Sequence, residues 1–189
     1  MNSTRKPTQN RIRVSLGMIV GLSSGLTQQG CNMRATPDWS DLKRSIRAEF
    51  PGVHQLTTEE LADWLNDTSR VPPILLDARS QDEYALSHLR NAHLATDYQA
   101  AVRDLGKAMP STPIVVYCSV GYRSSRLAKE LTSGGFSNIS NLEGSIFEWA
   151  NEERPLYRGF ERVYTVHPYD GTWGRLLISK FRADPPDSR

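Results

Sequence analysis

Two rhythms of apolar and polar positions alternate along the chain. Residues 36–50, TPDWSDLKRSIRAEF, set Trp39, Leu42 and Ile46 on one face at helical spacing, with Asp38 as a capping residue. Residues 57–65, TTEELADWL, carry Thr57 and Glu60 at capping-box spacing, ahead of an apolar face of Leu61, Trp64 and Leu65. After Pro72-Pro73 comes ILLDA (74–78), a short continuous apolar run that predicts a strand covered on both faces. SQDEYAL predicts a short helix, AHLA a brief strand, and DYQAAVRDL a helix packing through Ala101, Val102 and Leu105. TPIVVYC (112–118) is the most strand-like run of all. RSSRLAKELTSGG follows at once, a helix with Leu127, Ala128 and Leu131 inward and Gly134-Gly135 as its stop. SNISNLEG and SIFEWAN add one more strand and one more short helix. Strands alternating with helices predict an α/β sandwich with a central, mainly parallel sheet flanked by helices. From residue 157 onward the chain turns aromatic and turn-rich, with RVYTV and RLLIS as candidate strands.

Charge divides the chain unevenly. The formal net charge of the 189 residues is +2, but Arg5, Lys6, Arg11 and Arg13 occupy residues 1–30 without any acid. The rest holds 19 basic against 21 acidic residues, which gives no electrostatic case for nucleic-acid binding. The basic segment RKPTQNRIR precedes thirteen uncharged residues, VSLGMIVGLSSGL, then TQQGCN. That run is too short to span a bilayer as a helix but suits the core of a signal peptide. Gly30-Cys31 has the form of a lipoprotein cleavage site, although Gln28 stands where an aliphatic is usual. Residues 1–30 are therefore expected to be a signal peptide, with Cys31 lipidated and the protein in the cell envelope or periplasm, tethered to the membrane. The alternative is a disordered tail on a cytoplasmic protein.

With Cys31 at that boundary, Cys118 is a solitary thiol, which excludes a disulfide framework. It ends the strongest strand pattern, so it falls at the carboxyl edge of the sheet, where ligand sites of open α/β folds lie. The loop SVGYR leads into a helix expected to start near Arg123 or Ser124. A helix N-terminus offers unpaired N–H groups, Gly121 lets the loop curl so that these converge, and Arg123 adds a positive charge. All three favour thiolate over thiol at an exposed sulfur. The competing reading is a buried structural cysteine. The four histidines are scattered and form no metal-ligand set, and neither a metal nor an organic cofactor is expected.

The loop CSVGYRS, with its strand and helix, resembles the active-site loop of the rhodanese (sulfurtransferase) superfamily. LLDARSQDEYALSHLRNAHLA (75–95) is similar to that family's first signature through Asp77, Arg79, Glu83, Tyr84, His88 and Ala92, and departs from it at Ser87, Leu89, Arg90 and Asn91. LEGSIFEWAN is similar to the second through Gly144 and Trp149. The resemblance covers residues 52–156, one module, with residues 31–51 as an N-terminal linker and helix and 157–189 as an extension packed on the domain. It implies a rhodanese-like sandwich. Cys118 becomes the sulfur-accepting nucleophile. The N–H groups of Ser119, Val120, Gly121, Tyr122, Arg123 and Ser124 form an anion cradle, with Arg123 stabilising donor and intermediate. Asp77 and Arg79 support the loop, and His88 pins the turn that follows it. Trp149 and Tyr84 are expected in the core.

The implied reaction moves a sulfane sulfur from a small donor (thiosulfate, persulfide or polysulfide) to a thiol or cyanide-like acceptor. A persulfide carrier serving a protein partner needs the same loop. A cysteine-dependent phosphatase or arsenate reductase needs five residues between Cys and Arg, where this chain has four. Because only Arg123 is charged in the loop, a persulfide or polysulfide donor fits better than dianionic thiosulfate. The tail segment VHPYDGTWG, with His167, is expected to be a packed strap rather than a site.

Overall fold

The computed structural model describes residues 38–184; the leader segment and Cys31 lie outside the described residues. Helix α1 (Trp39–Glu49) starts where Asp38 accepts the N–H groups of Ser40 and Asp41. Strand β1 (His54–Leu56) follows, then α2 (Thr58–Asn66), opened by a complete Thr57–Glu60 capping box. Next come β2 (Ile74–Asp77), α3 (Gln81–Leu86), β3 (His93–Leu94) and α4 (Tyr98–Leu105). The central unit is β4 (Ile114–Tyr117) with α5 (Tyr122–Ser133), followed by β5 (Ile139–Leu142) and α6 (Ser145–Asn151). The tail forms a hairpin of β6 (Leu156–Arg158) and β7 (Glu161–Val163), then two short 3-10 turns at Trp173–Leu176 and Ser179–Phe181.

Five strands pair in parallel in the order β1-β5-β4-β2-β3. Every residue of β4 is buried, as its uninterrupted apolar run requires of a central parallel strand. Side chains still alternate between faces. Leu75, Val115 and Tyr117 join Leu61, Leu142, Ile146 and Phe147 in one core layer, where the tail adds Val166, Leu176 and Phe181. Leu76, Ile114 and Val116 join Ala101, Leu105, Leu127, Ala128 and Leu131 of α4 and α5 in the other. The expected α/β sandwich with helices on both faces is what the chain forms.

Several local expectations change. Strand β1 was not expected; three residues, HQL, carry too little pattern to announce an edge strand. Leu65 is 41 % exposed, since the apolar face of α2 ends at Trp64, whose Nε1 donates to Val71 O at 3.0 Å. RLLIS makes a 3-10 turn and a bend instead of a strand, and Leu176 and Leu177 enter the core from it. Helix α5 begins at Tyr122, ahead of the expected Arg123 or Ser124, because Gly121 caps it in a left-handed conformation (φ +110°). Strand β4 stops at Tyr117, so Cys118 opens the loop instead of ending the strand.

Candidate active site

The loop from Cys118 to Gly121 leaves the middle of the sheet and is fixed from below by α6. The N–H of Ile146 donates to Cys118 O at 3.2 Å, and that of Phe147 to Ser119 O at 3.1 Å. Ser145 Oγ accepts the Cys118 N–H at 3.1 Å and donates to Leu142 O at 2.9 Å. With these groups engaged, the loop turns back over its own sulfur. The Gly121 N–H donates to Cys118 Sγ at 3.2 Å. Gly121 is required here, since other residues rarely adopt a φ of +110°.

Cys118 is only 1 % exposed, a correction to the exposed sulfur expected from sequence. Burial alone pushes its thiol pKa up. Against that stand the Arg123 charge, the Ser124 hydroxyl and the N–H groups of Ser124 and Gly121, and the balance holds the pKa below the ordinary thiol value. Ser124 Oγ is fully buried and has no hydrogen-bond partner among the described residues other than the sulfur it faces. Tyr122, whose hydroxyl donates to Glu49 at 2.5 Å, ties α1 to the loop's far side.

Arg123 is not a free cation. Its Nη1 and Nη2 each donate to Glu83 at 2.8 Å, and Nη2 also reaches Ser119 Oγ at 2.9 Å. Ser119 Oγ in turn donates at 2.9 Å to Glu83 Oε1, the same oxygen that accepts Arg123 Nη2. Burial pushes the Glu83 pKa up, but the Arg123 pair, the Ser80 N–H and Arg79 overcome it and lower it to about 2. The guanidinium lies 4.8 Å from the ring centroid of Tyr169. Tyr169, Trp173, Val120 and Tyr122 wall a cavity of about 120 Å³ that reaches Cys118, and Arg123 is its one charged lining residue among those described.

The rhodanese-like domain pattern matches residues 57–152, half of the chain. The chain belongs to the rhodanese-like domain family. It is 29 % identical over 104 residues to a Mycobacterium tuberculosis protein named "Probable adenylyltransferase/sulfurtransferase MoeZ", covering 53 % of this chain and 25 % of that one. It is 33 % identical over 78 residues to "Thiosulfate sulfurtransferase GlpE" of Coxiella burnetii, covering 40 % and 70 % respectively. This chain thus spans a quarter of the first relative and about two thirds of the second. Its fold is similar to that of a thiosulfate sulfurtransferase from Pseudomonas aeruginosa (TM-score 0.54, 24 % identity, 62 % of this chain and 22 % of that one).

Within this rhodanese-like domain, the remaining sequence-selected residues sit behind the loop. Asp77 and Arg79 form a wholly buried pair: Nε reaches Oδ1 at 2.9 Å and Nη2 reaches Oδ2 at 2.7 Å, while Nη2 also donates to Ser87 O at 2.6 Å. Arg79 lies 5.8 Å from the ring of Tyr117, whose hydroxyl accepts the Leu89 N–H at 3.1 Å. His88 donates through Nδ1 to Leu89 O at 2.9 Å and accepts the Gly159 N–H at Nε2, 3.2 Å away. That fixes one neutral tautomer and joins the turn to the tail hairpin. Trp149 is buried, with its indole N–H on Pro155 O at 3.0 Å, while Tyr84 is half-buried and donates to Ala92 O at 2.7 Å.

Four contributors to the site had no role in the sequence reading. Glu83 was matched to a signature without a function; its capping-box position on α3 conceals that it also grips Arg123. Ser145 is marked in sequence only by following Gly144. Tyr169 and Trp173 lie in the segment expected to be a mere strap. They are part of one, but it passes over the sulfur. No local pattern in the sequence links residue 170 to residue 118.

Proposed function

We propose that this protein is a sulfurtransferase that carries a sulfane sulfur as a persulfide on Cys118. The observation that supports it best is the convergence of the Gly121 N–H, the Ser124 dipoles and the Arg123 charge on one buried sulfur at the end of a small cavity. In the first step the Cys118 thiolate attacks the outer sulfur of a donor. The new S–S bond forms as the donor's own bond to that sulfur breaks, and the remainder leaves with the electron pair, as sulfite from thiosulfate or as a thiolate from a persulfide. In the second step a cyanide or thiolate acceptor takes the outer sulfur and Cys118 returns as thiolate. The N–H groups of Gly121 and Ser124, which lower the thiol pKa, stabilise the terminal persulfide anion in the same way. Arg123 orients the loop and offsets the sulfur's charge, while Asp77, Arg79 and His88 act as positioning residues.

A protein thiol is a further candidate acceptor. The basic leader and Gly30-Cys31 support work in the cell envelope with a lipid anchor on Cys31. An unprocessed N-terminus on protein recovered from its native cell would remove that part.

Peptide-resolved mass spectrometry after exposure to thiosulfate or a persulfide tests the chemistry. The peptide containing Cys118 gains one sulfur, cyanide removes it as thiocyanate, and Cys118→Ser gains none. No gain with any sulfur donor, alongside phosphate release from an aryl phosphate, would overturn the reading.

A further inference from the structure

The C-terminal strap is built to hold two aromatic rings at the mouth of the Cys118 cavity. Its base is closed by backbone pairing: Val166 N–H donates to Phe181 O at 2.7 Å and Ala183 N–H to Val166 O at 3.0 Å. Asp170 Oδ1 accepts the N–H groups of Thr172 at 2.8 Å and Trp173 at 2.9 Å, which starts the 3-10 turn under Trp173. Asn151 of α6 grips the far side, donating to Leu176 O at 2.8 Å and accepting the Ile178 N–H at 2.9 Å. Gly174 lies against Pro168 so closely that a Cβ would sit 2.8 Å from Pro168 Cβ. Tyr169 holds a left-handed backbone (φ +65°), uncommon for an aromatic residue, with its N–H on His167 Nδ1 at 3.0 Å. Seven hydrogen bonds, the Gly174–Pro168 contact and a left-handed tyrosine fix the two rings, and Trp173 also packs against the core from its edge. Neither ring belongs to the fully buried core, and both line the cavity.

We propose that Tyr169 and Trp173 are the specificity-determining residues of the site and select sulfur donors of low charge on an apolar stem, alkyl persulfides and hydropolysulfides, over the thiosulfate dianion. This rests on the sulfurtransferase reading and adds the donor class to it. Beside the sulfur, the cavity is walled by three aromatic rings and Val120, the Ser119 hydroxyl is already engaged by Glu83 and Arg123, and the single cation among the described lining residues is matched by the Glu83 carboxylate. Arg123 and Glu83 together sum to no charge, and the Cys118 thiolate adds a negative one. A dianion entering that space meets like charge with no unmatched cation to offset it. A hydropersulfide, R–S–SH, meets only the thiolate it must react with, while its stem covers ring faces. Its reaction balances within the site. Cys118 Sγ bonds to the outer sulfur, the S–S bond of the donor breaks, and RS⁻ leaves through the aromatic mouth, with the proton remaining on the new persulfide.

The test measures the second-order rate at which Cys118 of the full chain gains sulfur from thiosulfate and from a small alkyl hydropersulfide. Each rate is divided by that donor's rate with a free low-molecular-weight thiolate, to remove intrinsic reactivity. The enhancement is expected to be at least about tenfold greater for the hydropersulfide. Trp173→Ala and Tyr169→Ala lower hydropersulfide loading about tenfold more than they lower thiosulfate loading. Trp173→Phe, which keeps an aromatic wall, retains the preference and guards against misfolding of the alanine variants. An equal or larger enhancement for thiosulfate, or an equal loss for both donors in folded variants, overturns the proposal while leaving the sulfurtransferase reading intact. Loading by neither donor overturns both.

Discussion

Arg79 and Arg123 each pair with a carboxylate close to the Cys118 loop, and the two pairs differ most in where they face. Arg79 and Asp77 are sealed, both side chains at 0 % exposure. Arg123 keeps 28 % of its side chain exposed toward the cavity while Glu83 beneath it keeps 3 %. The sealed pair holds Ser87 O and lies beside Tyr117, so it fixes how the first signature packs on β4. The half-open pair lends part of its charge to Cys118 and its hydrogen bonds to Ser119. Similar chemistry thus serves as scaffold at one point and tunes the reacting group at the other, with solvent and cavity access deciding which.

Breaking the sealed pair should have the largest effect. Asp77→Ala leaves a buried, uncompensated guanidinium, and a loss of about 3–5 kcal/mol in chemical denaturation is expected. A variant as stable as the parent would mean that Arg79 finds another partner. Glu83→Gln comes next. Because the Glu83 pKa is lowered to about 2 in the fold, its stabilisation is fully present above the ordinary carboxylate range and is lost as the pH falls toward 2. The variant should lose about 2–3 kcal/mol at neutral pH and show a flatter acid limb in stability against pH. It also frees the Arg123 charge, so thiosulfate loading should rise relative to hydropersulfide loading. Arg123→Met removes the charge that acts on the sulfur. The thiol pKa should rise and loading at neutral pH fall about tenfold, while stability changes less than in Asp77→Ala. Ser145→Ala should be smallest, about 1 kcal/mol, with a modest loss of loading as Cys118 N–H loses its acceptor.

The sequence carried the scaffold well wherever signals were local. The capping box at Thr57, the apolar run of β4 and the glycine before α5 all act within a few residues of themselves. Asp77, Arg79, His88 and Cys118 could be selected because each sits inside a short signature. Strand β1 is too short to pattern, and its place in the sheet comes from pairing with β5, more than eighty residues away. The burial of Cys118 escaped notice for the same reason. It depends on α6 below and the strap above, and neither is visible from CSVGYRS. The uncharged character of the loop interior was legible, but the matching of Arg123 by Glu83 was not, because forty residues separate them and the signature gave Glu83 no role.

The account depends most on Cys118 being a thiolate under working conditions. Its most direct test is the ultraviolet titration of the thiol, taken as the difference between the full chain and Cys118→Ser so that Cys31 cancels. The sulfur should ionise below the ordinary thiol range, and Arg123→Met should move the midpoint upward. A midpoint at or above that of free cysteine, unmoved by Arg123→Met, would contradict it.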